Sequence, residues 1–271
     1  MQFKIKVPFG IVLEYLRNYS PQIVATIFCS ILFLFTEFKF VPRLENKQFR
    51  LDNKSIGKTH VNDELISGVE VISMSAIISG VIVVWFCTHG SESLRKFHGN
   101  WMNMKPERVS SGGHFFVVSV ICLALTLALN GAITGCLKLV IGNFRPDFID
   151  RCKPNLEKAQ DLSAYYGLDI CEQQNKWLLY EGLKSTPSGH SSFITSGLGF
   201  AYYWQKKHVS SHYSRHLWCI VLIILVMISR ITDHRHHWYD VVSGCLLGIS
   251  VIAISWRWVY GSRSVGYQLP A

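Results

Sequence analysis

FFVVSVICLALTLALNGAITGCL, residues 115–137, runs for 23 positions without an Asp, Glu, Lys or Arg. About 20 apolar residues in a helix cross the hydrocarbon core of a bilayer. The stretch therefore reads as a membrane span, and it frames the rest of the chain. VISMSAIISGVIVVWFCT, residues 71–88, is equally free of charge. Residues 23–36 form a third apolar run, bounded by Pro21 and Glu37. Three later runs are weaker: 185–205 is uncharged but carries Pro187 and His190, while 216–229 and 241–256 are short. Each gains a turn if the polar residues at its end sit at the interface, in a pair or in a wet cavity. The spacing thus predicts an all-α integral membrane protein with six transmembrane helices in a single domain, residues 1–271. The expected spans are 21–40, 69–88, 115–138, 187–205, 215–230 and 240–257.

Composition agrees. The 271 residues are 49% hydrophobic and only 17% charged, with a mean hydropathy of +0.22. Soluble domains carry roughly 25% charged residues, and disorder, collagen, coiled coil and disulfide knots all need other compositions. The net charge of +9 raises nucleic acid as a partner. Nucleic-acid binders gather Lys and Arg on one face beside stacking aromatics. Here the aromatics lie inside apolar runs and the basic residues lie between them, which suits an anionic bilayer surface instead. The eight cysteines show no CxxC spacing, so zinc and thioredoxin chemistry have no support. Cys29, Cys87, Cys122 and Cys136 sit in or beside apolar runs and read as small core residues. Residues 1–10 lack the apolar core of a signal peptide.

With six spans, alternation puts the N-terminus, 90–112, 206–215 and the tail on one side. Residues 37–70, 138–184 and 230–240 fall on the other. Lys and Arg divide nearly evenly between the sides, so their count does not orient the chain. The shorter basic loops favour a cytosolic first side.

The second side collects the chemistry. Lys138-Leu-Val-Ile-Gly-Asn-Phe-Arg145-Pro146 follows the third span, Pro187-Ser188-Gly189-His190 opens the fourth, and Ser229-Arg230 ends the fifth, with His236 and Asp240 before the sixth. Lys138 and Arg145 share a helix face if the helix continues, and Pro146 places its end near Arg145. Arg guanidinium forks match phosphate oxygens, and Lys adds a compact charge. Pro187-Ser188-Gly189 reads as a helix start whose free N–H groups favour an anion. His236 and Asp240, four apart, are expected to meet on one turn, so that the carboxylate fixes the imidazole tautomer and the other ring nitrogen is free to attack. Alone, each element has an ordinary explanation: cations at span ends snorkel, and Pro-Ser-Gly punctuates many helices. The tract His234-Arg235-His236-His237 suits a metal by its histidines, but Arg230 and Arg235 repel a cation there. The joint occurrence at one membrane face is what those explanations leave over.

The three segments match the pattern Lys-x6-Arg-Pro, Pro-Ser-Gly-His and Ser-Arg-x5-His-x3-Asp. That pattern resembles the type 2 phosphatidic acid phosphatase superfamily. The surrounding text, Arg145-Pro-Asp-Phe-Ile-Asp-Arg-Cys152, Thr186-Pro-Ser-Gly-His-Ser-Ser192 and Arg235-His-His-Trp238, is similar to the fungal lipid phosphate phosphatases and diacylglycerol pyrophosphate phosphatases.

The resemblance implies a phosphatase acting on phosphate monoesters of membrane lipids, among them phosphatidate, lysophosphatidate and diacylglycerol pyrophosphate. His236 would be the nucleophile, forming a phosphohistidine, with Asp240 orienting it. His190 would be the general acid and base. Lys138, Arg145, Ser188, Gly189 and Arg230 would bind the phosphoryl oxygens. No cofactor is implied: the fixed cations neutralise charge without Mg²⁺, and vanadate is expected to inhibit. The partners expected are the bilayer and its lipids, not nucleic acid. The rivals are a catalytically silent interaction protein on the same scaffold and a phosphotransferase to an alcohol. A transporter fits less well, because its ionisable groups gather at mid-depth.

The expected location is the endomembrane system, Golgi or vacuole, with the catalytic face lumenal. Asn53-Lys54-Ser55 is then a usable glycosylation sequon, and Asn18-Tyr19-Ser20 is not. Cys152 and Cys171 share the long third loop and are either paired or free; spacing does not decide between these.

Overall fold

A computed structural model describes residues 9–39, 41–42, 47–89, 100–210 and 212–261. Part of the basic loop 90–112, the end of the first expected span and the tail beyond 261 lie outside the described residues. The uncharged runs form helices close to their expected bounds: α1 (Phe9–Asn18), α2 (Ser20–Phe38), α3 (Gly68–His89) and α4 (Ser111–Ile141). Two short helices, α5 (Phe148–Cys152) and α6 (Lys176–Glu181), punctuate the long loop that follows. The bundle closes with α7 (Gly189–His208), α8 (Leu217–Thr232) and α9 (Trp238–Tyr260). Among the described residues no strand forms; isolated bridges join Phe49 to Tyr166 and Pro154 to Cys171.

Five of these helices are long and apolar enough to cross a membrane: α2, α3, α4, α9, and α8 with the turn before it, Ser214–Thr232. The six expected from the sequence included α7, which does not meet that measure. The reason is its position. α7 packs against α3, α4, α8 and α9, so protein rather than lipid surrounds it, and its hydroxyls find partners. Ser75 and Ser79 of α3 donate to the carbonyls of Phe193 and Gly197, at 2.9 and 2.8 Å. Thr134 and Asn130 of α4 meet the Ser192 hydroxyl at 3.0 and 3.2 Å. Small residues let the backbones approach this closely: a methyl group at Gly248 of α9 would stand 2.8 Å from the Ser192 carbonyl. The outer helices are the reverse. Ile27, Phe28, Ile31 and Leu34 of α2, and Val221, Ile224, Leu225 and Ile228 of α8, are exposed at helical spacing, as a lipid-facing stripe requires.

α4 ends at Gly142, which takes the left-handed conformation (φ 56°) and donates to the Lys138 carbonyl. The helix therefore stops three residues before Arg145, not at it. Beyond it a small cap forms around Phe49, Ile56, Phe148, Ile170, Leu179 and Leu183. Cys152 and Cys171 are disulfide-bonded within it, Cα to Cα 4.7 Å. α1 had no counterpart in the expected spans; it is ten residues long and largely exposed, with Tyr15 turned inward to bond His114 at 2.9 Å.

Candidate active site

The C-terminal ends of α2, α4 and α8 and the N-terminal ends of α3, α7 and α9 meet below the cap, around a cavity of about 370 Å³. Lys138, Arg145, Gly189, His190 and His236 line it, together with Arg235, Arg151 and His60. Five of the eight expected site residues thus share one cavity. Phe33, Val71, Ile72 and Phe193 form its apolar wall toward the bundle.

Each cation is placed by a local device. Lys138 lies in the last turn of α4, and a Cβ at Gly189 would come 3.3 Å from its ammonium. An ammonium against the N-terminus of α7 opposes the helix dipole unless an anion lies between them. Arg145 is held by its own backbone, whose N–H donates to the Gly182 carbonyl at 2.8 Å. Its guanidinium contacts Glu181 at 3.2 Å, while its buried Nε has no protein partner. Glu181 also meets Lys184 at 2.9 Å. Burial alone would raise the Glu181 carboxyl, but Arg145, Lys138 and Lys184 outweigh it and bring it down to about 2. Arg235 reaches the Val61 carbonyl at 2.6 Å, and its Nε too is buried without a partner.

His236 is almost fully buried, with Nδ1 2.8 Å from the Ser185 carbonyl. A carbonyl only accepts, so Nδ1 carries the proton and Nε2 keeps its lone pair. Burial first, and then Arg145, Lys138 and His190, hold this imidazole well below its usual range. It is a neutral base with one ring nitrogen committed and the other unclaimed. The Nε2 of His190 lies 3.1 Å from both the Ile66 carbonyl and Arg230 Nη1. One partner only accepts and the other only donates. This nitrogen therefore satisfies Ile66 when protonated and Arg230 when bare.

Three expected residues stand elsewhere. Asp240 does not touch His236. The helix that was to join them starts at Trp238, so Asp240 is its third residue and folds back on His237, accepting from its N–H at 2.8 Å and facing its Nδ1 at 3.1 Å. It also accepts from the Ser185 hydroxyl at 2.6 Å and from Thr186. It thus holds the residue whose carbonyl holds His236. Ser188 is fully buried as the cap of α7, accepting from the Ser191 amide. Arg230 is fully buried and contacts Glu64 at 2.7 Å, Asp233 at 2.8 Å and the Ser229 hydroxyl at 3.0 Å. Neither Ser188 nor Arg230 lines the cavity.

Arg235, Arg151, His60, Glu64 and Glu181 were not expected at the site. His60 faces Asp147 at 2.7 Å, and Asp147 in turn meets Arg151 at 2.8 Å. Burial would raise the Asp147 carboxyl, but Arg151, His60 and Arg145 hold it below the usual range. Arg151 and Arg235 stand in the stretches quoted around the motifs, Arg235 next to His236, and that was the available signal. Among the described residues no three His, Cys, Asp or Glu side chains converge as metal ligands. His234 and His237 point instead to the carbonyls of Thr59 and Ser55.

Residues 119–264 match the PAP2 superfamily. The chain is 47% identical over 259 residues to lipid phosphate phosphatase 1 of Saccharomyces cerevisiae, covering 95% of this chain and 94% of that protein. It is 32% identical over 155 residues to diacylglycerol pyrophosphate phosphatase 1 of the same yeast, covering 54% and 53%. It is 33% identical over 129 residues to phospholipid phosphatase 1 of Rattus norvegicus, covering 45% of each chain. No solved structure matches. The matched span contains all three motifs and one relative aligns nearly end to end, so the chain belongs to the PAP2 superfamily.

Proposed function

We propose that this chain is a lipid phosphate phosphatase that cleaves phosphate monoesters of membrane lipids through a phosphohistidine on His236. The observation that carries the reading is the state of that histidine: neutral, buried, with Nδ1 bonded to the Ser185 carbonyl and Nε2 left for the cavity that Lys138, Arg145 and Arg235 line. Nε2 attacks phosphorus, and the bond from phosphorus to the lipid oxygen breaks. The leaving oxygen takes a proton from His190. Water then attacks the phosphohistidine, giving its proton back to His190 and freeing phosphate and the ring nitrogen. Asp240 acts as a positioning residue through Ser185. The guanidinium and ammonium groups stabilise the charge on the phosphoryl oxygens, so activity in the presence of a chelator is expected.

A lipid suits the site because the cavity lies at the ends of the apolar helices, with an apolar wall formed by Phe33, Val71, Ile72 and Phe193. There a diacyl substrate presents its phosphate without leaving the bilayer. Phosphatidate, lysophosphatidate and diacylglycerol pyrophosphate all fit this description. The multi-pass chain belongs to the endomembrane system, with the cap facing the lumen. The Cys152–Cys171 disulfide favours an oxidising compartment. On the same side Asn53 is exposed within its sequon, whereas the Asn18 amide donates to the Met104 carbonyl at the opposite end.

The test uses purified protein in detergent with a short-chain phosphatidate and a chelator. Phosphate release is expected from the wild type and from His234→Ala, but not from folded His236→Ala. Wild-type activity that needs added divalent metal, or persists in His236→Ala, would overturn the mechanism.

A further inference from the structure

The segment 59–66, ahead of α3, is strapped across the third motif. His234 Nδ1 faces the Thr59 carbonyl at 3.2 Å, Arg235 donates to the Val61 carbonyl at 2.6 Å, and the Leu65 amide donates to Asp233 at 3.0 Å. These contacts seat Glu64 against the site's cations. Its carboxylate lies 2.7 Å from Arg230, 3.6 Å from Arg235 and 3.8 Å from His190. One residue on, the Ile66 carbonyl meets the His190 nitrogen that the mechanism uses.

We infer that Glu64 is a specificity-determining residue: its carboxylate stands where a phosphoryl oxygen binds, so a phosphate monoester dianion displaces it and a phosphodiester monoanion does not. The inference rests on the phosphatase reading above.

The charge exchange sets the sign. A dianion entering the cavity in place of the Glu64 carboxylate brings one more negative charge to Arg235, Lys138 and Arg145, which line it, than leaves. A singly charged diester brings no surplus and still breaks the 2.7 Å contact. Glu64 is also less confined than Glu181, another carboxylate against the site's guanidinium groups. Its side chain is 28% exposed, against 8% for Glu181, which Lys184 and Arg145 pin at 2.9 and 3.2 Å. Bulk bilayer lipids are phosphodiesters, so such a filter keeps the site clear of the surrounding membrane.

The experiment compares wild type, Glu64→Gln and Glu64→Asp in detergent, with inhibition by inorganic phosphate and by dimethyl phosphate as the readout. In Glu64→Gln the inhibition constant of dimethyl phosphate should fall about tenfold, the size of one charge–charge contact. KM for phosphatidate should drop while kcat falls or holds. Glu64→Asp should keep the wild-type order, phosphate ahead of diester. In wild type, vanadate should speed hydrogen exchange across residues 61–66, and this readout needs no variant. Unchanged or weaker diester binding in folded Glu64→Gln, or slower exchange with vanadate, overturns the inference. Wild type with no vanadate-sensitive phosphate release overturns the phosphatase reading instead.

Discussion

Replacing Ser185 by Ala separates two ways of orienting the nucleophile. Asp240 accepts from the Ser185 hydroxyl at 2.6 Å, and the Ser185 carbonyl holds His236 Nδ1 at 2.8 Å. Alanine keeps the carbonyl and removes the hydroxyl that ties it to the carboxylate. A hydrogen bond to a charged group is worth about 1.5–3 kcal/mol, and its loss leaves a fully buried carboxylate short of one donor. If all of it appears as misplacement of His236, kcat falls about 10- to 150-fold. The His237 N–H and Thr186 still hold Asp240, which favours the lower end, about tenfold. KM should move little, because Ser185 does not line the cavity. Steady-state rates on a short-chain phosphatidate give both numbers, and a thermal melt confirms the fold. If Ser185→Ala stays within about twofold of wild type while Asp240→Asn is inactive, Asp240 acts on His236 directly and the relay through Ser185 is wrong.

Two further outcomes concern stability. The His236 imidazole sits well below its usual range, through burial first and then Arg145, Lys138 and His190, whereas unfolding returns it to about 6.5. As pH falls through that value the unfolded chain alone takes up this proton, so folded stability is lost. Between about pH 7.5 and about pH 5.5, wild type should lose more thermal stability than His236→Asn, and equal losses would contradict a neutral buried ring. Reducing Cys152–Cys171, which closes a sequence separation of 19, should loosen the cap by about 3 kcal/mol, read as a lower melting temperature. Alkylation of both thiols without reductant would show that no bridge exists.

The spans that face lipid were readable from the sequence, because lipid imposes an unbroken apolar surface. Residues 115–137 and 71–88 announced α4 and α3 within a few positions. α7 was harder to classify: Ser191, Ser192, Thr195 and Ser196 look alike whether they face water or neighbouring backbone, and only packing makes them interior. Of the motif residues, Lys138, Arg145, Gly189, His190 and His236 line the cavity. Direct contact of Asp240 with His236 was expected because a spacing of four was taken as one helical turn, while α9 begins two residues after His236. Gly142 was a visible stop signal that outranked Pro146. Glu64 and His60 reach the site through contacts 166 and 87 residues apart along the chain, and no local pattern marks such a contact.

Rapid quench of wild-type protein with radiolabelled phosphatidate, followed by peptide mapping, asks whether His236 carries the phosphoryl group during turnover. An acid-labile, alkali-stable label on the peptide at His236, formed and lost at the rate of phosphate release, is the expected finding. Label on His190, His234 or His237 instead, or none while phosphate is released in a burst, would contradict it.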